Sequence, residues 1–239
     1  MKFAIIAGGE GSRLKKEGSD TPKPLVKLGG EPLVTRLLRI FSKAGAKEAI
    51  VLIRTDANDV ATVVSNAAKQ YGLELTIVQG DTPSSMHSLY QLSPYLKGEA
   101  FCLTTVDTVF NEELFINFVN EARYLLSQNE IDGLMGTTLY IDDERPLYIQ
   151  TKGENTISGF LDEAAPSSNT ISAGVYALSG KSLDVLEHCV SQGESRLRNF
   201  QRALLRKSFQ LKAYNLGMVV DVDHVDDIAK AEQLIRKEL

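Results

Sequence analysis

Residues 7–25 read AGGEGSRLKKEGSDTPKPL and follow a compact hydrophobic run, Phe3-Ala4-Ile5-Ile6-Ala7. A strand followed by Gly8-Gly9-x-Gly11 lets the backbone bring several N–H groups close to phosphate oxygens. Two cations accompany the glycines. Arg13 offers a planar guanidinium fork suited to phosphate oxygens, and Lys23 offers a compact point charge. Pro22 and Pro24 bracket Lys23, keep its neighbours out of helix and limit where the ammonium can travel. A lysine restrained in this way suits chemistry that builds charge on a phosphorus centre, where fixed electrostatics supply most of the stabilisation. The stretch is not a Walker A loop, because Ser12-Arg13 follows Gly11 where Lys-Ser/Thr is required. It is not a dinucleotide fingerprint either, since Leu14 stands where the third glycine belongs. A plain flexible turn explains the glycines but neither cation. Glu10, Lys15, Lys16 and Glu17 are read as solvent-side filling.

Chemistry on a triphosphate normally needs Mg2+, held by one or two carboxylates together with phosphate oxygens. Asp107 comes directly after the β-rich run Phe101–Thr105, at the carboxyl end of an expected strand. Asp221 and Asp223, in VVDVDHVDDIAKAEQL (219–234), are two residues apart and face one side of an extended chain. Like charges side by side are unfavourable unless a cation or a functional site compensates them. Asp226 and Asp227 suit the first turn of a closing helix, where carboxylates complement the helix dipole. His224 is expected to be structural or peripheral.

The passage AGGEGSRL…TPKPLVKLGGEPLV resembles the signature of the sugar-1-phosphate nucleotidyltransferases, broadly G-G-x-G-[ST]-R-[LM] followed by P-K-P, across residues 4–34. The resemblance implies that a nucleoside triphosphate binds over the loop, that a sugar 1-phosphate attacks its α-phosphorus, and that pyrophosphate leaves. It implies nucleotide contacts from Ala7, Gly8, Gly9, Gly11 and Ser12. Arg13 would hold the β- and γ-phosphates, and Lys23 would stabilise the α-phosphoryl centre and the incoming phosphate. Asp107 would be a Mg2+ ligand, and the metal role extends to Asp221 and Asp223, with the choice of main ligand between those two left open. In QGDTPSSMHSLYQL (79–92), Ser84 or Ser85 is expected to cap a helix, and the resemblance makes Gly80, Asp81 and Ser85 candidates for holding base and ribose.

The acceptor side departs from the family pattern. Glu-Lys-Pro and Asn-Ala-Gly-Ile-Tyr become FLDEAAP (160–166) and TISAGVYAL (170–178). Glu163 and Gly174 keep the pattern and are assigned to the acceptor, whereas Ala164 and Ser172 stand where Lys and Asn are usual. Arg145, Lys152, Arg196 and Arg198 are the cations that could restore the missing charge. A cytidylyltransferase acting on phosphocholine or a similar alcohol phosphate is therefore an alternative. From another class, a non-catalytic nucleotide-binding subunit and a glycosyltransferase are further alternatives. The first is disfavoured by the presence of Arg13, Lys23 and Asp107. The second usually carries a paired-aspartate motif.

These residues need elements to position them. Strands are expected at 2–7, 48–54, 74–79 and 99–105, alternating with helices at 31–45, 56–72, 85–95 and 111–128. Leu33, Leu37, Leu38 and Phe41 recur at helical spacing, Gly45 falls at a C-cap, and Asn111 is an N-cap followed by Glu112 and Glu113. Such alternation means βαβ units and a mainly parallel sheet. The second half reads as strands at 133–140, 147–151, 156–161 and 171–178, helices at 181–192 and 196–207, strands at 209–214 and 217–223, and a last helix to the C-terminus. The expected fold is a Rossmann-like three-layer α/β/α sandwich with a small antiparallel insert on the acceptor side. One domain is expected over 1–239, its first 130 residues serving the nucleotide and the rest the acceptor. Ligands of such sheets bind outside the carboxyl ends of the strands, which is where the loops after residues 7, 79, 105 and 221 lie.

Composition narrows the partners. The chain has 239 residues and a net charge of -5, so it lacks the basic surface that phosphate-backbone binding to nucleic acid requires. No apolar run approaches a bilayer span, the start lacks a signal-peptide layout, and the expected location is the cytoplasm. The two cysteines, Cys102 and Cys189, have no metal spacing and are expected as buried thiols. No β-helix or acyltransferase module is expected after the catalytic-type domain, and a homo-oligomer is compatible with everything above.

Overall fold

The computed structural model describes residues 1–142, 145–165 and 168–236. Its first half runs β1 (Lys2–Ala7), α1 (Ser12–Lys16), β2 (Lys27–Leu28), β3 (Glu31–Pro32), α2 (Leu33–Lys43), β4 (Glu48–Ile53), α3 (Asn58–Gln70), β5 (Glu74–Gln79), α4 (Ser85–Leu96), β6 (Phe101–Thr105), β7 (Thr108–Val109) and α5 (Glu112–Ser127). The second half adds β8 (Gly133–Thr138), β9 (Tyr148–Lys152), β10 (Thr156–Leu161), β11 (Thr170–Leu178), α6 (Ser182–Ser191), α7 (Leu197–Arg206), β12 (Leu211–Asn215), β13 (Val220–Asp221) and α8 (Val225–Arg236).

Nine strands form one sheet in the order β5-β4-β1-β6-β11-β8-β12-β10-β9. The first four are parallel to one another, as βαβ connection requires. β11 then runs antiparallel between β6 and β8, and β9 and β10 pair as an antiparallel edge. The antiparallel strands thus extend the main sheet, and the carboxyl end of β6 meets the middle of β11, Thr104 opposite Val175.

Alternation along β1 explains why its sequence is apolar throughout. Phe3, Ile5 and Ala7 enter the core beneath α2, α3, α5 and α8, while Ala4 and Ile6 enter a second core beneath α4, α6 and α7. Both faces are covered, which gives the three-layer sandwich. Local signals act as expected at α5, where Asn111 Oδ1 accepts the Leu114 N–H at 2.8 Å. After α2, Gly45 takes the left-handed conformation of a helix stop, φ +78°.

Several boundaries differ from expectation, most of them by one or two residues. The helix expected from residue 31 starts at Leu33, because Gly29 and Gly30, both at positive φ, turn β2 back onto β3 as a tight hairpin. The strand expected at 217–223 shrinks to Val220–Asp221, which pairs with β7 outside the main sheet. The last helix is described to Arg236, so its expected final turn lies outside the described residues, as does Pro166 of FLDEAAP. No helix among the described residues is long and apolar enough to cross a membrane.

Candidate active site

The glycine loop leaves β1 at its carboxyl end. A Cβ on Gly8 would meet Leu52 Cδ2 at 2.7 Å, whereas one on Gly9 would meet nothing within 4 Å. Gly8 is therefore set by packing, and Gly9 leaves open backbone over the cleft. Leu14, fully buried, anchors the short α1 so that Arg13 stays exposed on the cleft side. Lys23 sits in a 3-10 turn, Lys23–Leu25, and is only 7% exposed.

Its ammonium is the centre of the site. Lys23 Nζ donates to Asp107 Oδ2 at 2.6 Å and to Asp223 Oδ1 at 2.5 Å. Arg13 Nη1 donates to the other oxygen of Asp223 at 2.6 Å. Burial alone would lower the Lys23 ammonium, but the charges of Asp107 and Asp223 beside it outweigh burial and hold it above its ordinary value. Burial would raise the Asp107 carboxyl, and Lys23 outweighs that in turn and holds it low. Both partners are consequently ionised at neutral pH.

The carboxylates are held from behind. Val222 donates its N–H to the Asp107 carbonyl at 3.0 Å, joining the two acidic segments. Thr108 Oγ1 donates to Asp221 Oδ1 at 2.9 Å and lies 2.7 Å from Thr105 Oγ1, whose hydroxyl also reaches Asp107. Gly174 is what lets this cluster form: at φ +69° it packs against the threonines, and a Cβ there would lie 2.8 Å from Thr108 Oγ1.

Asp221 and Asp223 do not share one side, as an extended strand would have placed them. The Asp223 N–H turns back to the Asp221 carbonyl at 3.0 Å, so Asp221 faces Thr108 while Asp223 faces Lys23 and Arg13. Asp227 fixes that turn, accepting the N–H groups of His224 at 2.8 Å and Asp223 at 3.2 Å. This is the return arm of a capping box at the start of α8.

Two expectations need correcting. Glu17 is not solvent filling: its carboxylate lies 2.5 Å from His224 Nδ1 and accepts the Val225 N–H at 2.8 Å, tying the glycine loop to α8. Nothing in the sequence signals a contact between residues 207 positions apart. Ser84 holds the N-cap position of α4, but neither serine caps with its side chain. The Ser84 hydroxyl instead lies 2.9 Å from His87 Nδ1 and accepts the Arg196 N–H at 3.3 Å.

The expected site residues fall into adjoining cavities. One of about 730 Å3 is lined by Gly8, Gly9, Gly11, Lys23, Asp81, Ser85 and Asp107, and Ser84 forms part of its wall. A second, of about 480 Å3, is lined by Arg13, Ser172, Asp221 and Asp223. Ala7, Ser12 and Lys15 line a neighbouring recess, which shares Gly9, Glu10 and Arg54 with the first cavity. Gly80 is buried against α4, where a Cβ would collide with the Gln91 side chain. Glu163 lies apart from Lys23, in a third cavity, with Arg145, Arg196 and Arg198 but without Lys152.

A divalent cation needs oxygen donors converging on one point. Among the described residues no group of three acidic, His or Cys side chains converges in that way. Asp107 and Asp223 do converge, on the Lys23 ammonium, a positive charge standing where a cation would bind between two carboxylates. Two carboxylates completed by phosphate oxygens are the donor set Mg2+ takes at triphosphate sites, so the residues fit it.

Fold and site together define a nucleotide-binding α/β domain of the nucleotidyltransferase type. The chain belongs to the MobA-like NTP transferase domain family, whose profile matches residues 3–139. It is 25% identical over 206 residues to the probable glucose-1-phosphate cytidylyltransferase of Bacillus subtilis, covering 78% of each protein. It is 23% identical over 245 residues to the bifunctional protein GlmU of Methanococcus aeolicus, matching all of this chain but only 55% of that protein. The inositol-1-phosphate CTP transferase from T. maritima superposes with a TM-score of 0.78 at 18% identity, covering 100% of this chain and 97% of that one.

Proposed function

We propose that the protein is a Mg2+-dependent nucleotidyltransferase that moves a nucleoside monophosphate from a triphosphate to a sugar 1-phosphate and releases pyrophosphate. The observation that carries this reading is Lys23 held between Asp107 and Asp223 at the wall of the cavity that the glycine loop opens onto. Two relatives, a probable glucose-1-phosphate cytidylyltransferase and a mannose-1-phosphate guanyltransferase, support the same reading.

In this mechanism the open backbone at Gly9 admits the triphosphate, and Arg13 and Lys23 exchange Asp223 for phosphate oxygens. Asp107 and Asp223, released from that pairing, would hold Mg2+, which neutralises charge on the phosphates. An acceptor phosphate oxygen bonds to the α-phosphorus as the bond to the bridging β-phosphate oxygen breaks, and that electron pair leaves with pyrophosphate. The acceptor is already an anion, so no general base is needed. Positioning and fixed charge supply the acceleration.

Cytidylyl transfer to another phosphorylated alcohol is a second reading, favoured by Ala164 and Ser172 and by the likeness to an inositol-1-phosphate CTP transferase. One sheet spanning both halves supports reading 1–239 as one domain. Free, buried Cys102 and Cys189 suit a reducing compartment, the cytoplasm.

Pyrophosphate release, measured with four nucleoside triphosphates against sugar 1-phosphates and phosphocholine in the presence of Mg2+, tests the reading. One pair should turn over well above the rest. Absence of both nucleotide binding and pyrophosphate release would return the chain to the class of non-catalytic subunits.

A further inference from the structure

The third cavity, about 820 Å3, lies between the β9–β10 edge and the start of α7. It shares no lining residue with the cavities holding Lys23, Asp107 and Asp223. Four arginines line it, Arg145, Arg196, Arg198 and Arg202, against the carboxylates of Asp162 and Glu163. Cations therefore outnumber anions in a recess that the phosphoryl-transfer centre does not use.

The arginines are not equivalent. Arg198 and Arg202 grip Asp162 from both sides, at 2.7 and 2.8 Å, and also donate to the carbonyls of Arg145 and Phe160. They are spent on building the wall. The Arg196 side chain makes no hydrogen bond or ion pair among the described residues, although it borders the same recess. Its backbone is held at φ +71°, ψ 136°, a region that non-glycine residues avoid, and such strain persists where surrounding structure imposes it. The hold on one side is the Arg196 N–H donating to Ser84 Oγ at 3.3 Å.

That bond also makes the third cavity a neighbour of the nucleotide cavity, because Ser84 lines the latter. From the same helix, Gln201 reaches Ser172 Oγ at 3.3 Å, and Ser172 lines the cavity of Asp221 and Asp223. α7 thus touches both halves of the reaction site while its first residues border a cationic recess beyond them.

The geometry points to an oxyanion site for a second anionic group on the acceptor, a phosphomonoester or carboxylate remote from the phosphate that reacts. This rests on the transferase reading. The reacting phosphate must lie at Lys23 and Asp107, so a single-phosphate acceptor leaves Arg196 without a partner. An acceptor carrying anions at both ends spans the wall at Ser84 and brings one to Arg196. The guanidinium fork suits either oxyanion.

The test is calorimetric titration of the protein with glucose 1-phosphate, glucose 1,6-bisphosphate, glucuronic acid 1-phosphate and inorganic phosphate. The doubly anionic ligands should bind at least about tenfold more tightly than glucose 1-phosphate, the scale of one charge-assisted contact. Arg196→Ala should bring that ratio close to one. Arg196→Gly removes the side chain while accepting the positive φ, so it serves should the alanine variant misfold. Equal binding of singly and doubly anionic ligands, or a ratio unchanged in both variants, overturns the proposal. Inorganic phosphate binding as tightly as the bisphosphate, with loss in Arg196→Gly, makes this a free-anion site and also overturns it. Pyrophosphate release by the wild type is scored separately. Preferential binding without release leaves the anion site standing and removes the transferase reading.

Discussion

Lys23 Nζ lies 2.6 Å from Asp107 Oδ2 and 2.5 Å from Asp223 Oδ1, so a cation that would act on phosphate is paired with the carboxylates that would hold a metal. On the proposed reading, metal and triphosphate would compete with one internal ion pair, and each would relieve it for the other. Mg2+ alone should bind poorly, and a triphosphate should raise its affinity. By linkage, Mg2+ should raise triphosphate affinity by the same factor. Calorimetry of each ligand with and without the other measures the factor in both directions. Independent binding would contradict the exchange.

Removing the lysine separates chemistry from metal binding. Lys23→Ala should lower turnover by a hundredfold or more, the scale of losing one preorganised charge contact. It should also let the unpaired carboxylates bind Mg2+ without nucleotide. Circular dichroism should show the fold retained. Near-normal turnover would remove Lys23 from the reaction.

Behind the carboxylates, Thr108→Val should break the 2.7 Å contact with Thr105, whose hydroxyl reaches Asp107, along with the 2.9 Å contact with Asp221. Mg2+ affinity should fall by about tenfold, and Thr108→Ser should restore it. Gly174→Ala should act on the same cluster through the backbone. A φ of +69° and a Cβ 2.8 Å from Thr108 Oγ1 should together cost about 1–3 kcal/mol, read as a lower melting temperature.

The Glu17–His224 contact carries its own pH dependence. Donating to the Glu17 carboxylate raises the His224 imidazole, and accepting that hydrogen bond lowers the Glu17 carboxyl. The histidine's contribution is complete below its ordinary value and disappears as pH rises through its raised one. The glutamate's is complete above its ordinary value and disappears as pH falls through its lowered one. The link is strongest in the mildly acidic window between. NMR titration should find His224 above an ordinary histidine in the wild type and back at that value in Glu17→Gln.

Burial pushes the Cys102 thiol up to about 12, and burial likewise raises Cys189. Both should resist a thiol reagent at pH 8 in the folded protein and react once it is denatured. Rapid labelling of Cys102 under native conditions would contradict the packing of β6.

Legibility in the sequence followed the range of the interactions. Asn111 and Gly45 carry signals within one helical turn, and both elements begin or end as read. The segment carrying Arg13 and Lys23 was legible as a constrained loop because glycines and prolines act locally on it. The ribbon β7–β13 was not: Asp221 pairs with Thr108 across 113 positions, and only the folded sheet brings them together. The strand pattern implied that Asp221 and Asp223 share a face, but the capping demand of α8 turned the chain between them. Glu17 was missed for a related reason, since a carboxylate after a short helix looks alike whether it meets water or His224.

β11 meets β6 in register from Val175 opposite Thr104 to Leu178 opposite Phe101, whereas its pairing with β8 shifts between Ser172 and Tyr176. That irregularity falls at Ala173 and Gly174. From Val175 onward the strand is locked to β6, which leads into Asp107, while just before it Gly174 packs on the threonines behind Asp107 and Ser172 lines the cavity of Asp221 and Asp223. One strand thus couples two sides of the cleft, and a substitution in its first half should be felt at Asp107 as well as at Asp221.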